Sequence, residues 1–238
     1  LRVMSYNVKH GAGMTDLSIA ENMKVQAEVI NGQKPDLVGL QEIDNQCRRS
    51  GSVDQPKEYG RLTEMNDAFC KFMDYGGGQY GLAILSRFPV KKVECLKLPS
   101  GRSEPRSAIV YTAQIADGIE LIFVNVHFDW LPDSKERLAQ AETLLGHLKD
   151  TDLPVIVVGD YNDVPGSPAL KAFESAGFRY VAKEGNRFTF SADNPRVEID
   201  HIYIRDGRDI KLTAGKITVL EEREASDHRP IVTTITLK

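Results

Sequence analysis

The sequence predicts an α/β sandwich, with two packed sheets and helices outside them. Three observations point there. Many short apolar runs recur along 238 residues, and only a few segments carry helical spacing. Some of those runs alternate apolar and polar residues, as half-buried strands do, while others are continuously apolar, as strands covered on both faces are. Polar clusters sit at the ends of the runs, which implies strands that share one functional edge.

The elements follow in order. Leu1–Val8 is a short mixed apolar strand. Leu17, Ala20, Met23, Ala27 and Ile30 recur at spacings of three and four, which predicts a helix ended by Pro35-Asp36. Leu37–Leu40 is a buried strand. Asn45–Glu58 is polar and carries Gly51 and Pro56, so it reads as a long loop of the kind that often serves function. Strands are expected at Tyr80–Leu85, Val90–Leu98, Ala108–Ile115, Glu120–Val126 and Val155–Val158. Later ones fall near His201–Ile204, Lys211–Val219 and Ile231–Leu237. Helices fit Ser134–Leu148, with Leu138, Ala141, Leu144, Leu145 and Leu148 on one face, and Pro168–Ser175, where proline opens the first turn. With no repeat and no linker-like run, one domain over residues 1–238 is the simplest account.

Composition narrows the function classes. Lys and Arg number 30 against 34 Asp and Glu, a formal net charge of −4, which argues against a nonspecific coater of DNA. It leaves a nuclease open, because bound metal turns a carboxylate-rich site locally positive. No apolar run approaches the ~18 residues of a membrane-spanning helix. Cys47, Cys70 and Cys95 lack the spacing of a structural zinc site. An odd count leaves at least one thiol free or paired with another chain. Cys47 and Cys70 are the candidate bridge in an oxidising compartment, against three inert thiols as the plainer reading. The first residue is Leu1, so removal of an upstream segment is expected, and export is one reason for such removal.

The polar clusters are Ser5-Tyr6-Asn7, Gln41-Glu42, Asn125–Asp129, Gly159–Asn162, Glu198–His201 and Ser226–Pro230. Together they supply hard oxygen ligands and imidazoles, an inventory that suits Mg²⁺ or Mn²⁺, an anionic oxygen and a water to be deprotonated. Asn7, Glu42, His127 and Asp160 each end an apolar strand. Asp200 and Asp227-His228 precede theirs, and reach the same edge if those strands run the other way.

These motifs resemble the endonuclease/exonuclease/phosphatase superfamily, the DNase I-like metal-dependent phosphohydrolases. The matching pieces are MSYNVKHG (4–11), LVGLQEID (37–44), GLAILSRFP (81–89), EPRSA (104–108), NVHFDW (125–130), VIVVGDYND (155–163), EIDHIYI (198–204) and SDHRPI (226–231), in the family's order. The resemblance implies a four-layer α/β sandwich, two mainly antiparallel sheets flanked by helices, with the site at one end. Position 9 departs from several DNA-repair members, which carry Asp where this chain has Lys9. The loop 43–55 is similar to that of bacterial, often exported, members.

Roles follow for each residue. Glu42 is the leading metal ligand, since an unpaired buried carboxylate is costly. Asn7 is a second candidate for metal or for substrate, and Asp227 would help hold the metal or the water. A second, weaker ion would sit near Asp129, Asp160 or Asn162. Asp160 would deprotonate the attacking water, with Asn162 two residues on, sharing its face if the segment is extended. The rival for this pair is an Asx turn. His228 would contact a phosphoryl oxygen, with Asp200 fixing its tautomer. His127 would approach phosphate from the other side, and Asp129 would orient it or bind substrate. Arg106 would clamp phosphate bidentately. Trp130 offers a stacking face or packs on the rim. His10, His147 and His201 are left out of the site. The expected enzyme is a monomer that hydrolyses a small or lipid-head-group phosphoester without a covalent intermediate. The alternative is a nuclease on DNA or RNA, and less favoured is an inactive binding module. Few cations serve substrate: Lys9, Arg48, Arg49, Arg102 and Arg106. A lipid-acting enzyme would expose aromatics in 69–80.

Overall fold

The computed structural model describes residues 1–101 and 104–238. Arg102 lies outside the described residues. The strands are β1 (Arg2–Asn7), β2 (Leu37–Asn45), β3 (Asn66–Tyr75), β4 (Gly78–Ser86), β5 (Val90–Leu98), β6 (Arg106–Ala116) and β7 (Ile119–His127). They continue as β8 (Val155–Asp160), β9 (Arg179–Tyr180), β10 (Lys183–Glu184), β11 (Asp200–Arg205), β12 (Leu212–Ala214), β13 (Ile217–Val219) and β14 (Ile231–Leu237). The helices are α1 (Ile19–Gln33), α2 (Gln55–Thr63), α3 (Lys135–Leu148) and α4 (Pro168–Ser175).

One sheet runs β10-β13-β14-β1-β2-β4-β3, with β12 also on β14, and the other runs β5-β6-β7-β8-β11-β9. Strand alternation sorts the side chains into layers. In β1, Val3 faces the second sheet, while Met4 and Tyr6 face α1 and α2 beside Met23, Ile30 and Tyr59. In the second sheet, Phe123, Ile156 and Val158 point inward, and Val124, Val126 and Val157 meet Ala141, Leu144 and Phe173 of α3 and α4. The result is the four-layer sandwich, mainly antiparallel, with β1–β2, β7–β8 and β10–β13 parallel.

One glycine lets the two sheets close, and another lets β7 and β8 pair. A Cβ on Gly39 would come 2.6 Å from Val158 of the facing sheet, and one on Gly159 would come 2.1 Å from the Val126 carbonyl. Between the sheets, just below the site, lies a buried polar plug. Gln41 Nε2 donates to Ser5 Oγ at 3.1 Å and to Asn125 Oδ1 at 2.6 Å, while Asn125 Nδ2 donates to the carbonyls of Leu40 and Ala83.

Helix 168–175 and the strand 90–98 stand where the sequence placed them. Three expectations change. The 45–58 loop ends early, because Asp54 caps α2 and Pro56 enters its first turn. The 69–80 segment is β3 and the start of β4, with Phe72 and Tyr80 buried and only Tyr75 substantially exposed. The disulfide joins Cys70 to Cys95, not to Cys47. Their Cα atoms lie 5.5 Å apart between β3 and β5, the edge strands of the two sheets. Cys47 is instead a buried free thiol that donates to the Tyr75 carbonyl at 3.1 Å, and burial pushes its pKa up to about 11.

Candidate active site

Strand register assembles the centre. His127 pairs with Asp160 across the parallel β7–β8 ladder, and Asp200 pairs with Asp160 across β8–β11. Three reactive side chains therefore stand side by side at one sheet end. The other sheet brings Asn7 opposite Gln41. Regular alternation would turn Glu42 away from the cleft, toward the helices. A β-bulge between Leu40 and Ile43 prevents this, and Glu42 sits at φ 57°, in the left-handed region. Asn7 Nδ2 then donates to Glu42 Oε1 and to Asp160 Oδ2, both at 3.1 Å. Carboxylates on the two sheets thus share one amide, as a single site requires.

His228 arrives on the loop before β14. Ser226 Oγ fixes that loop by donating to the Asn7 carbonyl at 2.7 Å and accepting from His228 N at 3.3 Å. His228 Nδ1 lies 3.0 Å from Asp200 Oδ2, and its Nε2 lies 3.6 Å from Asp160 Oδ2. His127 Nε2 approaches the same Asp160 oxygen at 3.5 Å. Asp160 Oδ1 accepts from the backbone N of Asn162 at 2.9 Å, so the Asx turn is present, with Asn162 at φ 49° rather than extended. The Asn162 side chain donates to the Phe128 carbonyl at 3.1 Å.

Burial and charge set the protonation states. Burial raises the Asp160 carboxyl; the His228 cation opposes that rise and Asp200 adds to it. Burial alone would lower His228, yet Asp200, then Asp160, lift it to about 10. His127 falls to about 3, first through burial and then through the Arg106 cation. For Glu42, burial works upward but is overcome by His10, His127 and Asn7, and the group stays ionised.

Glu42, Arg106, His127, Asp160, Asp227 and His228 line a cavity of about 270 Å³. Asn162 reaches it too, while Tyr80, Phe190 and Trp130 supply its apolar wall, with Trp130 60% exposed. Arg106 is only 2% exposed. Its Nη2 lies 3.4 Å from Glu104, its guanidinium sits over the Phe72 ring, and its Nε and Nη1 have no partner among the described residues.

Several expected residues hold other posts. Asp129 is fully buried and does not line the cavity. Its Oδ1 accepts from Leu131 N at 2.7 Å and its carbonyl accepts from Arg137, so it braces the loop after β7 rather than meeting substrate. Asn7 is a bridging donor rather than a free ligand, because its Oδ1 already accepts from Lys9 N. Asp227 carries a resident cation, Lys9 Nζ at 3.2 Å. Arg49 is spent in a bidentate pair with Asp44. His201 and His147 stay outside the site, as the sequence reading had them: His201 faces the Asp163 carbonyl, and His147 pairs with Glu94 on a helix flank.

Sequence reasoning missed His10, whose Nδ1 lies 3.6 Å from Glu42 Oε2. Lys9, His10 and Gly11 all have positive φ, at 48°, 45° and 81°. Buried amides clamp this strained turn. Gln55 Nε2 donates to the His10 carbonyl, Asn22 Nδ2 to the Gly11 carbonyl, and Asn22 and Gln26 both to Ala225, beside Asp227. The signal was the Lys-His-Gly run, a left-handed turn before a helix.

For a divalent ion, the donor chemistry fits: Glu42 stays ionised, opens on the cavity and is flanked by a second carboxylate, Asp227. Asp160, Asp200 and His228 form another group whose ligand atoms lie within 4.8 Å of one another, but His228 already couples its two carboxylates.

The Endonuclease/Exonuclease/phosphatase family model matches residues 4–228. The chain belongs to that family. Its members are metal-dependent hydrolases of phosphoester bonds. A UPF0294 protein of Vibrio cholerae is 33% identical over 134 residues, which is 54% of this chain and 44% of that protein. The chain thus spans about half the length of the curated relatives it matches. Among solved structures, a functionally unknown conserved protein of Enterococcus faecalis has a TM-score of 0.82 at 20% identity, with the whole of both chains covered. A mannosyl-6-phosphatase of Bacteroides thetaiotaomicron has a TM-score of 0.77 at 20% identity, with 99% of each covered. At such identity these two share the fold. Among the described residues, no helix is long and apolar enough to cross a membrane.

Proposed function

We propose that this chain hydrolyses a small phosphoester with Mg²⁺, or Mn²⁺, held at Glu42. One observation carries the reading. A buried guanidinium with two unpartnered nitrogens faces a cavity of about 270 Å³ that also holds an ionised Glu42 and a protonated His228. Leaving a buried cation so poorly paired is costly, and a phosphoryl group would complete it bidentately.

Glu42 would hold the ion, with Asp227 beside it. A divalent ion there supplies positive charge to the oxygen on which charge grows as the bond to phosphorus breaks. Asp160, with its pKa raised by burial, takes the proton of the attacking water. Asn7 keeps that carboxylate aimed. Asp200 holds the Nδ1 proton of His228, so Nε2–H donates to a nonbridging oxygen. His127, neutral down to about pH 3, adds an uncharged contact beside the cationic His228 without competing for the proton. The P–O bond opposite the water breaks, and the departing alcohol takes its proton from solvent. The small cavity favours a compact ester. Burial of Phe72 and Tyr80 leaves Tyr75 as the one exposed aromatic of the 66–80 hairpin, which weakens the case for a lipid surface.

A second reading, a nuclease that stacks a base, draws on exposed Trp130 at the rim. A panel with Mg²⁺ and Mn²⁺ separates them, using aryl mono- and diesters, sugar phosphates, sphingomyelin, RNA and plasmid DNA. Turnover of small esters that survives added salt is expected. Faster, steeply salt-sensitive cleavage of DNA would favour the second reading.

A further inference from the structure

Two residues in left-handed backbone meet in the site. Glu42 stands at φ 57° on the β2 bulge, and His10 stands at φ 45° in the turn after β1. The two segments are tied together, since Val8 N donates to the Gln41 carbonyl at 3.2 Å. Left-handed backbone is costly for a residue with a Cβ, and such strain gathers where a site needs a fixed direction. Around His10 three amides fix it. Gln26 Nε2 donates to the Val8 carbonyl at 2.9 Å, Gln55 Nε2 to the His10 carbonyl at 2.7 Å and Asn22 Nδ2 to the Gly11 carbonyl at 2.9 Å. All three amide side chains belong to buried residues.

The imidazole held in this way is left unsatisfied. Its Nδ1 is buried and has no hydrogen-bond partner among the described residues. It faces Glu42 Oε2 across 3.6 Å, too far for a hydrogen bond. A charge-assisted bond between them would close to about 2.7–2.9 Å. Glu42 Oε1, by contrast, already accepts from Asn7 at 3.1 Å. A cation shared by Nδ1 and Oε2 would satisfy both atoms. Neighbouring ligand atoms that bind one ion at ~2.1–2.2 Å stand roughly 3–4 Å apart, a range that includes the 3.6 Å gap.

Lys9 narrows the choice of ion. Its Nζ lies 3.2 Å from Asp227 Oδ2 and offsets the charge of that carboxylate. The donors left at the Glu42 end are one carboxylate and one imidazole. Mg²⁺ favours oxygen ligands, whereas imidazole suits first-row transition ions. Resting on the metal-dependent phosphoester reading, we propose that His10 ligates the ion at Glu42 through Nδ1, and that this nitrogen turns the site's preference from Mg²⁺ to a first-row transition ion such as Mn²⁺.

The test reads metal binding rather than turnover. Full-length chain, with histidine labelled by heavy nitrogen in the ring, is loaded with Mn²⁺ and examined by electron–nuclear double resonance. A histidine nitrogen coupled to Mn²⁺ is expected in the wild type, and its loss is expected in His10→Asn. Asparagine tolerates the left-handed backbone, so the turn is kept. Calorimetry then compares the two ions. The Kd for Mn²⁺ should rise at least about tenfold in His10→Asn, as loss of a ligand demands, while that for Mg²⁺ moves less than about threefold. Bound Mn²⁺ without a histidine coupling would overturn the assignment, and this signal needs no variant. A coupling that survives in His10→Asn, or an equal loss of both ions, would also overturn it. Each of those results leaves the phosphoester reading standing. A wild type that binds neither ion would overturn both.

Discussion

Arg106→Met should separate function from stability. The guanidinium is 2% exposed, lies 3.4 Å from Glu104 and leaves Nε and Nη1 unpartnered. Such a group is held at a cost to the fold. Methionine keeps most of the stem volume and its contact with Phe72, and Glu104 remains in reach of water. The folded state should gain about 1–3 kcal/mol, the usual return from replacing a poorly compensated buried charge by an apolar side chain. Activity should move the other way. A unit charge pair at ~4 Å with an effective dielectric of ~20 is worth about 4 kcal/mol, which desolvation reduces, so kcat/KM should fall about 10²- to 10³-fold. A third readout is independent of both. Arg106 is the main charge that depresses His127, after burial, so the His127 pKa should rise from about 3 in the variant. Urea unfolding, steady-state kinetics with Mg²⁺ and imidazole NMR titration measure the three. A variant less stable than wild type, with kcat/KM within about tenfold, would refute the reasoning, because Arg106 would then be a structural cation.

Four further outcomes are expected. Asp160→Asn should lower kcat at least ~10²-fold with the fold intact by circular dichroism, since it removes the proton acceptor and nearly keeps the shape. Asn125→Ala should cost roughly 2–4 kcal/mol in urea unfolding, because Gln41 and the carbonyls of Leu40 and Ala83 lose their partner between the sheets. Lys9→Met should tighten divalent-ion binding or add an ion in calorimetry, because it frees Asp227 from an ammonium at 3.2 Å; unchanged affinity and stoichiometry would show that Asp227 holds no metal. Asp200→Asn should drop the His228 pKa from about 10, so that activity declines with rising pH nearer the ordinary imidazole value of ~6.5, which a pH–rate profile reads.

The sandwich was legible because its strands are long and their residue types periodic. Helix 168–175 was readable from its proline and its apolar face. Strand 66–75 was not, because it mixes lysine and aspartate with aromatics on an edge, and three glycines at its turn resemble a loop. Asp160, His127 and Asp200 could be read as strand-end residues, and register then set them abreast. Glu42 was named for its chemistry, but its route into the cleft is a bulge, and nothing in LVGLQEID marks where alternation fails. Asp129 shows the opposite failure. A carboxylate two residues after an imidazole at a strand end looks like its partner, yet the chain turns there and the carboxylate caps the turn. His10 was dismissed for want of a motif, and only a left-handed backbone brings it to Glu42.

Two imidazoles on one carboxylate carry different charge states, one cationic and one neutral. Both His127 and His228 lie about equally far from Asp160 Oδ2, at 3.5 and 3.6 Å, and both are buried. Distance to the shared carboxylate therefore cannot distinguish them. What differs is the far side of each ring. His228 Nδ1 has Asp200, whereas His127 Nδ1 has no partner among the described residues and its ring feels the Arg106 cation. One ring is thus raised to about 10 and the other lowered to about 3. The signs for stability follow. His228 contributes stability that is full below its unfolded value of ~6.5 and is lost as pH rises through about 10. His127 is held neutral, so its site is stable above ~6.5 and weakens as pH falls toward about 3. Between those limits the cavity presents one cationic donor and one neutral ring to a phosphoryl group. That asymmetry leaves Asp160, not an imidazole, as the group whose raised pKa suits taking a proton from water.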